Sequence, residues 1–441
     1  MTEAFGTGRR AVVLVGSPAN PYSRGLRLAR TLAAQGFAVE IAAVADGVAA
    51  PVETAGPISI RRYAPSGPYA RLGATYGTRS GAVAASADRR LRKRGLRVVR
   101  KGVAAMRRWL LWPHTVRGWW ATLERELAPA DLYHACGVLP LAAALDARER
   151  DRKAGRRSVV IYDAVDDVIR SSNLMGMPGP VRWWLGRRER RWARAADLRL
   201  TINDDLARQL AAGWRTADLP TVIMNYPELP AASGDAAAAP AARPDRIREA
   251  TGLPPATRIV AFQGRIGPNR GLDEAAEAVL RVPDAAFVLI GFGVDYEQSR
   301  ARDRQERFAG RHFTLPAVHP DELLEWTASA DVAIIPLPPV SANERAATPN
   351  KFWEALAAGT PIVVRPGMTV MGGLIAKHDL GAVAASLGVD DLAAALRRVL
   401  DVDRATATER RRRIAALAAE RFTWPAESIR YAEVVRRLFP G

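Results

Sequence analysis

The strongest constraint on the fold is an alternation of short apolar runs with helix-patterned segments, which begins close to the N-terminus. Ala11 to Val15 is an apolar run with the length of a buried strand. Turn residues follow from Gly16 to Pro21, and apolar side chains then recur at helical spacing up to Gly36, which suits a helix C-cap. Phe37 to Val44 has the pattern of a second strand. This order predicts a parallel sheet covered by helices on both faces.

The same alternation continues through the 441 residues and divides them into two halves. Between Pro230 and Pro244 the composition is almost entirely Ala, Pro, Gly and Ser, which is typical of a linker. Strands are expected in the first half at Leu132–His134, Ser158–Asp163, Leu198–Asn203 and Thr221–Met224, and in the second half at Ile259–Phe262, Ala286–Ile290, Val332–Pro336 and Pro361–Val364. Helices of the second half are expected at Leu272–Leu280, Asp321–Ser329 and Phe352–Ala358.

We therefore predict an α/β protein with two Rossmann-like domains that face each other across a cleft. The expected boundaries are 1–227 for the first domain, 228–257 for a linker region, 258–422 for the second domain and 423–441 for a closing helix. Ligands of such sheets bind at the carboxyl ends of the strands. The plan is common among enzymes but does not by itself define a reaction.

The charged residues are unevenly distributed along the chain, and their distribution indicates which kinds of partner the first half could bind. The net charge is +18, and residues 1–225 hold all of this excess with 37 basic and 19 acidic side chains. The first half is therefore expected to face nucleic acid, an acidic membrane or a phosphorylated substrate. One cysteine, Cys136, and five histidines argue against a disulfide framework and against a cysteine-rich or histidine-rich metal site. No apolar run reaches about 18 residues and the N-terminus lacks a signal-peptide pattern, so we expect a cytoplasmic protein.

The most informative stretch of the second half runs from Thr348 to Val364. Thr348 suits an N-cap and Pro349 a first helical position, so the backbone amides of Asn350 and Lys351 would point out of a helix start. A helix N-terminus binds anions, and Lys351 adds a full positive charge. Glu354, one turn further on, could accept two hydrogen bonds from a ribose diol. The alternative is a capped amphipathic helix with an incidental glutamate.

A second stretch, from Phe262 to Asp273, places two arginines on a loop between a strand and a helix. Arg265 and Arg270 on such a loop suit a diphosphate, because guanidinium groups bind phosphate oxygens in pairs. The alternative is a solvated loop. Since both stretches end neighbouring strands at the same edge of a sheet, together they favour a phosphate site.

These residues resemble the donor site of the retaining family 4 glycosyltransferases, which have the GT-B fold. The resemblance covers nearly all of residues 258–400. It rests on Gly264-Arg265-Ile266 with Arg270-Gly271, on Leu289-Ile-Gly-Phe-Gly293, on Val318-His-Pro-Asp-Glu-Leu-Leu324 with Ala330-Asp-Val-Ala-Ile-Ile-Pro336, and on Glu354-Ala-Leu-Ala-Ala-Gly-Thr-Pro-Ile-Val363. Many members carry a second glutamate eight residues before Glu354, where this chain has Ala346. The sequence is similar instead to a branch with Pro-Asn-Lys before the helix.

The resemblance implies a nucleotide-diphosphate sugar as donor substrate, with no metal and no other cofactor. Arg265, Arg270 and Lys351 would bind the diphosphate and stabilise its charge as it leaves, and Glu354 would hold the ribose. Gly264, Gly271 and Asn350 belong to the same implied donor site. The closing helix would cross back to the first domain, as it does in the family.

The first half resembles the acceptor domain of the family more weakly. Asp131-Leu-Tyr-His-Ala135 and Ile161-Tyr-Asp-Ala-Val-Asp-Asp167 are similar to two cleft segments of that domain, although Cys136 replaces a second histidine. The resemblance implies that His134 takes part in catalysis and that Asp166 or Asp167 orients a sugar hydroxyl. The alternatives are a packed strand-end histidine and a loop carboxylate.

Two basic stretches that contain tryptophan stand out in the first half. One runs from Arg89 to Lys101 and on through Met106–Trp112 to Trp119-Trp120, and the other covers Val181–Trp192. Arginine with tryptophan suits the headgroup layer of a membrane, and each basic residue near an anionic surface contributes on the order of 1 kcal/mol. The alternatives are solvated amphipathic helices with buried Trp side chains, or a nucleic-acid surface, for which no reader motif is present.

The resulting hypothesis is a retaining, nucleotide-sugar-dependent glycosyltransferase. It would transfer a sugar to a hydroxyl of a lipid-linked or glycan acceptor at the inner membrane face, as a cytoplasmic protein peripherally bound to an anionic membrane, with no nucleic acid as partner. The first rival is a degenerate, non-catalytic protein that binds a glycan or a partner. The second rival is a nucleic-acid-binding protein.

Overall fold

The computed structural model describes residues 4–19, 23–66, 116–174, 176–228 and 244–439. The chain divides into two compact units, of which the first contains Met1–Met224 with Ala426–Gly441 and the second Asn225–Pro425. Each unit is an α/β structure built on its own largely parallel sheet. The predicted α/β class with two Rossmann-like domains is confirmed.

The first unit contains an eight-stranded sheet with the order β3-β4-β2-β1-β5-β6-β7-β8. Only β3 is antiparallel to its neighbour. The strands are β1 (Arg10–Val15), β2 (Ala38–Val44), β3 (Val52–Ala55), β4 (Ile58–Tyr63), β5 (Leu132–Cys136), β6 (Val159–Asp163), β7 (Leu198–Thr201) and β8 (Thr221–Val222). The hairpin of β3 and β4 was not predicted, because the exposed residues of β3 lack an apolar pattern.

The second unit contains a six-stranded, wholly parallel sheet with the order β11-β10-β9-β12-β13-β14. The strands are β9 (Arg258–Arg265), β10 (Ala285–Phe292), β11 (His312–Pro316), β12 (Val332–Ile335), β13 (Ile362–Val364) and β14 (Gly381–Val383). The sequence predicted β9, β10, β12 and β13. It did not predict the edge strands β11 and β14, whose patterns are short or interrupted.

Helices cover both sheets. In chain order they are α1 (Ser23–Ala34), α2 (Val138–Lys153), α3 (Gly179–Ala195), α4 (Asp204–Trp214), α5 (Arg246–Thr251), α6 (Leu272–Leu280), α7 (Tyr296–Arg302), α8 (Leu323–Ala328), α9 (Ala342–Ala346), α10 (Asn350–Ala357), α11 (Thr369–His378), α12 (Val389–Leu400), α13 (Arg404–Arg421) and α14 (Trp424–Arg436). Residues 116–126 are also helical. Within the described ranges, no helix combines the length and apolar character needed to cross a membrane.

The structure differs from the sequence expectations at two boundaries. The expected linker region of 228–257 contains α5, whose Ile247 is fully buried in the second unit, because a single apolar side chain anchors this otherwise polar turn. Pro349, rather than Thr348, is the N-cap of α10, and the helix begins at Asn350. Residue 349 has ψ of 154°, which is extended rather than helical.

Alternate residues of β9 pack into two different cores. Val260 and Phe262 belong to a cluster with α6 and α12, whereas Ile259 and Ala261 pack with Ile247 on the other face. This alternation follows from the two-residue period of a strand. Because both faces of β9 are buried, only its carboxyl end is left to carry polar side chains, and the predicted donor residues follow there.

Candidate functional site

Two glycines, one near the end of β9 and one in the loop that follows it, shape this edge of the sheet. Gly264 and Gly271 have φ of 112° and 71°, in the region that favours glycine. A Cβ atom on Gly271 would overlap the carbonyl oxygen of Pro336, the residue after β12. The segment from Arg265 to Arg270 therefore lies against the carboxyl edge of the sheet.

Lys351, in the first turn of α10, reaches over this edge. Its Nζ atom lies 3.7 Å from the centre of the Phe262 ring and 3.4 Å from the position that a Cβ atom on Gly264 would occupy. Burial and, to a smaller extent, the positive charge of Arg270 lower the pKa of Lys351 to about 7, and the negative charge of Glu354 partly opposes this change. The structure thus brings three predicted donor residues together, with positive charge concentrated where an anion is expected.

A chain of hydrogen bonds orients Glu354. The Nε2 group of Gln263 donates to Oε2 of Glu354 at 2.7 Å, and the hydroxyl of Thr327 in α8 donates to Oε1 of Gln263. Asn350 also has a fixed side chain, since its Oδ1 atom accepts a hydrogen bond from Asn225. Gln263 was not among the predicted site residues, because nothing in the sequence indicates that it contacts a helix 91 positions away.

Arg265 lies in a different part of this edge. Its side chain is exposed. Burial and the negative charge of Asp273 raise the pKa of Asp295, and the positive charge of Arg265 opposes this rise. Arg265 therefore stands beside the loop after β10. Phe292 pairs with Arg265 in the sheet register and is 56% exposed, so it places an aromatic ring at the same edge. Sequence reasoning missed Phe292, because a strand-end aromatic residue normally signals core.

Ala346 is buried at the end of α9. Many proteins of the resembled family carry a glutamate at this place, so the corresponding carboxylate is missing from this edge of the sheet.

The structure places His134 away from solvent. Its ring is fully buried, Nδ1 lies 2.9 Å from the hydroxyl of Tyr431 in α14, and Nε2 lies 3.7 Å from Asp163. Arg24 binds both oxygens of Asp163, at 2.7 and 2.8 Å. Burial alone would raise the pKa of Asp163, but Arg24 and the nearby His134 hold it below its usual range. His134 thus packs against the closing helix through Tyr431, and its predicted part in catalysis stays a prediction.

His134, Cys136 and Asp163 also place possible metal-ligand atoms within 4.8 Å of one another. The charge environment does not favour a cation, because the Arg24 guanidinium occupies both carboxylate oxygens. All three residues are buried as well. The cluster is better explained as an ion pair that anchors the ends of β5 and β6.

The two aspartates of the loop after β6 differ. Asp166 is exposed. Asp167 is buried, and it accepts hydrogen bonds from Arg170 and from Nε2 of Gln209. Asp167 therefore shapes the loop, and the predicted contact of either aspartate with a sugar hydroxyl stays a prediction.

Helix α3 carries the second basic stretch, and most of the first one lies outside the described residues. Trp183 and Trp184 are 67% and 36% exposed, with arginine guanidinium groups stacked over both rings. A groove of about 330 Å³ beside this helix is lined by Arg182, Trp183 and Arg187, among others. In the described part of the chain, neither of these two arginines has a carboxylate within ion-pair distance.

Comparisons with known proteins find sequence similarity in the part of the chain that carries these residues. Residues 257–402 match the protein family described as "Glycosyl transferases group 1". The matched segment begins just before β9 and ends after α12, so it contains Gly264, Arg265, Arg270, Lys351 and Glu354. A curated relative, D-inositol 3-phosphate glycosyltransferase of Mycolicibacterium gilvum, is 32% identical over 203 residues, which cover 43% of each chain. The chain thus spans less than half the length of this relative.

Two solved structures resemble almost the whole chain. Sucrose-phosphate synthase from Thermosynechococcus elongatus superposes with a TM-score of 0.68 at 17% identity, over 98% of this chain and 99% of that one. HepE of Anabaena, solved in complex with UDP-glucose, gives 0.63 at 14% identity, over 97% and 100%. At these identities the similarity shows the fold, which is that of the GT-B glycosyltransferases. The family match covers residues 257–402, and the structural neighbours extend the similarity in fold to almost the whole chain.

Proposed function

We propose that this protein is a retaining glycosyltransferase of family 4, in the branch with Pro-Asn-Lys before the donor-site helix. It transfers a sugar from a nucleotide-diphosphate sugar to a hydroxyl group. The observation that carries the proposal is the convergence of Lys351, Arg270 and Glu354 at one edge of the second sheet. The family match covers the same residues.

The donor site follows from the chemistry of these groups. Lys351 and Arg270 bind the diphosphate, and the N-terminus of α10 adds the partial positive charge of its amides. Glu354, oriented by Gln263, accepts hydrogen bonds from the ribose. Phe292 offers a stacking surface for the base, and Arg265 beside it binds a phosphate or ribose oxygen.

Positive charge at the diphosphate also accelerates the reaction, because it stabilises the leaving group. As the bond between the anomeric carbon and the β-phosphate oxygen breaks, negative charge develops on the leaving group. Lys351 and Arg270 stabilise that charge in the transition state more than in the ground state, which lowers the barrier. These cations take the place that a metal ion has in other transferases, so no cofactor is proposed.

The acceptor is proposed to be a lipid-linked or glycan hydroxyl at the inner membrane face. Helix α3 supports this part of the proposal, because it exposes Trp183 and Trp184 beside Arg182 and Arg187, which have no carboxylate partner among the described residues, and such a surface suits an anionic headgroup layer. Asp166 is the described acidic side chain that fits an acceptor hydroxyl in the first unit. The protein would then be cytoplasmic and peripherally bound to the membrane.

The donor proposal is tested with a thermal-shift screen of nucleotides and sugar nucleotides. One diphosphate should stabilise the wild type, and Arg270→Ala and Lys351→Ala should abolish that shift. Lys377→Ala removes an exposed lysine of α11 and serves as the matched control, which should respond like the wild type. An equal response of all four proteins would overturn the site. Release of nucleotide from the donor then separates an enzyme from a non-catalytic binding protein.

The membrane proposal is tested by flotation with liposomes that contain anionic or only neutral lipids. The wild type should float with anionic liposomes, and a double variant, Trp183→Ala with Arg187→Ala, should not. Replacing Arg208, an exposed arginine of α4 that is paired with Asp205, gives the control. Binding of RNA or DNA instead, with a steep dependence on salt, would favour the nucleic-acid reading.

A further inference from the structure

Arg365 lies at the same sheet edge as the donor residues, although no sequence signal marks it. It is the first residue after β13, and Val364 of β13 pairs with Ile335 of β12. β12 in turn pairs with β9, which ends at Gly264 and Arg265. Adjacent strands are separated by about 4.8 Å, so Arg365 begins about 10 Å from the end of β9, within reach of a long side chain.

The guanidinium group of Arg365 is buried without adequate partners. The residue is 3% exposed, and its Nε and Nη2 atoms have no hydrogen-bond partner in the described part of the chain. The carboxylate of Glu274 lies 3.6 Å from Nη2, which is an ion-pair contact but too long for a hydrogen bond. Since arginine stays charged in proteins, a buried guanidinium with open donors carries a large desolvation cost.

The location of Glu274 shows where this side chain ends. Glu274 is in the first turn of α6, the helix that starts directly after Arg270-Gly271. The Arg365 guanidinium therefore lies close to the N-terminal turn of α6, which follows the loop that carries Arg270. A helix N-terminus and a buried arginine with two open N–H groups both favour negative charge at this point.

We propose that Arg365 is a donor-binding residue whose open N–H groups take oxygen atoms of the diphosphate of the nucleotide sugar. This inference rests on the proposed function and adds a residue to its donor site. Glu274 holds the side chain in place until the ligand arrives. Because the side chain of Glu274 is 46% exposed, it is able to turn toward solvent when the diphosphate binds.

A structural role and a binding role predict different results. If Arg365 only paired with Glu274, its removal would lower the stability of the unliganded protein and leave ligand affinity unchanged. If it is a ligand group, the unliganded protein already carries the cost of its burial. Removal then leaves the thermal midpoint unchanged or raises it, as is common where a binding site conflicts with stability.

The experiment compares Arg365→Met and Arg365→Lys with the wild type and with Arg398→Met, which replaces an exposed arginine of α12. Thermal midpoints are measured without ligand, and dissociation constants by calorimetry for UDP, ADP and GDP and for the matching monophosphates. The Met variant should weaken diphosphate binding by about tenfold or more, since a hydrogen bond to a charged group contributes that much. The monophosphate should lose less, and Lys should restore part of the affinity.

A diphosphate Kd within threefold of the wild-type value in the Met variant would overturn the inference, whatever the midpoint does. If the Met variant does not fold, the Lys variant decides, because it keeps the charge but loses the paired donors of the guanidinium. A wild type that binds none of the three diphosphates would refute the proposed function itself, and the inference with it.

Discussion

Donor binding should depend on pH through Lys351. Burial beside Arg270 lowers the pKa of this lysine to about 7, so about half of its amine is neutral at neutral pH. A bound diphosphate favours the charged amine and restores the higher pKa. Binding above pH 7 must therefore take up a proton, and affinity should fall as the pH rises.

The magnitude follows from the fraction of protonated lysine. With a pKa of about 7, nearly all of the free protein is ready to bind at pH 6, but only about one tenth at pH 8. The Kd should rise by about tenfold between these values, which corresponds to about 1.4 kcal/mol. Calorimetry at pH 8 in buffers of different ionisation enthalpy should detect the uptake of about one proton.

The probe should be the intact nucleotide sugar. Each of its two phosphates carries one ester and one anhydride bond and titrates only at low pH, whereas the terminal phosphate of a free diphosphate has a second ionisation with a pKa of about 6, like that of a phosphate monoester. Lys351→Arg is the matched variant, because a guanidinium stays charged and removes the pH dependence while keeping positive charge at the site. A wild-type Kd that changes less than twofold from pH 6 to pH 8 would refute the reasoning, and so would an equal slope in the Arg variant.

Three further predictions concern the two units. Gly271→Ala should lower the free energy of unfolding by more than about 2 kcal/mol, because its φ is 71° and its Cβ atom would overlap a backbone carbonyl. Gly310→Ala, with φ of 70° but open space around it, should cost only about 1 kcal/mol in the same denaturant titration. Arg24→Ala should destabilise the first unit by about 3–5 kcal/mol, because it leaves the Asp163 carboxylate buried and unpaired. Since the pKa of Asp163 is lowered in the folded protein, the wild type should lose stability as the pH falls below about 4, and Arg24→Ala should lose less in acid titrations followed by circular dichroism. Phe292→Ala should weaken nucleotide binding by about tenfold if the base stacks there, with no change in thermal midpoint, and an unchanged Kd would remove this residue from the site.

The sequence was sufficient for the α/β architecture of both units. Apolar runs, helical spacing and turn glycines are local features, so they predicted the parallel strands of both units. Gly264 and Gly271 entered the predicted donor site through the family resemblance, and the close backbone approach at Gly271 is a feature of the tertiary structure. The edge strand β14 was missed, because Gly381-Ala-Val383 has only one branched apolar side chain, whereas the equally short β13 is Ile-Val-Val.

The tertiary structure decided which side chains are available to a ligand. His134 and Tyr431 are 297 residues apart, and no local pattern predicts that α14 covers the histidine. The lowered pKa of Lys351 and the open donors of Arg365 likewise arise from burial, which depends on what packs around a group rather than on its neighbours in the chain. Patterning therefore determined the sheets and their loops, while packing between distant segments determined which charges stay buried, paired or ready to bind.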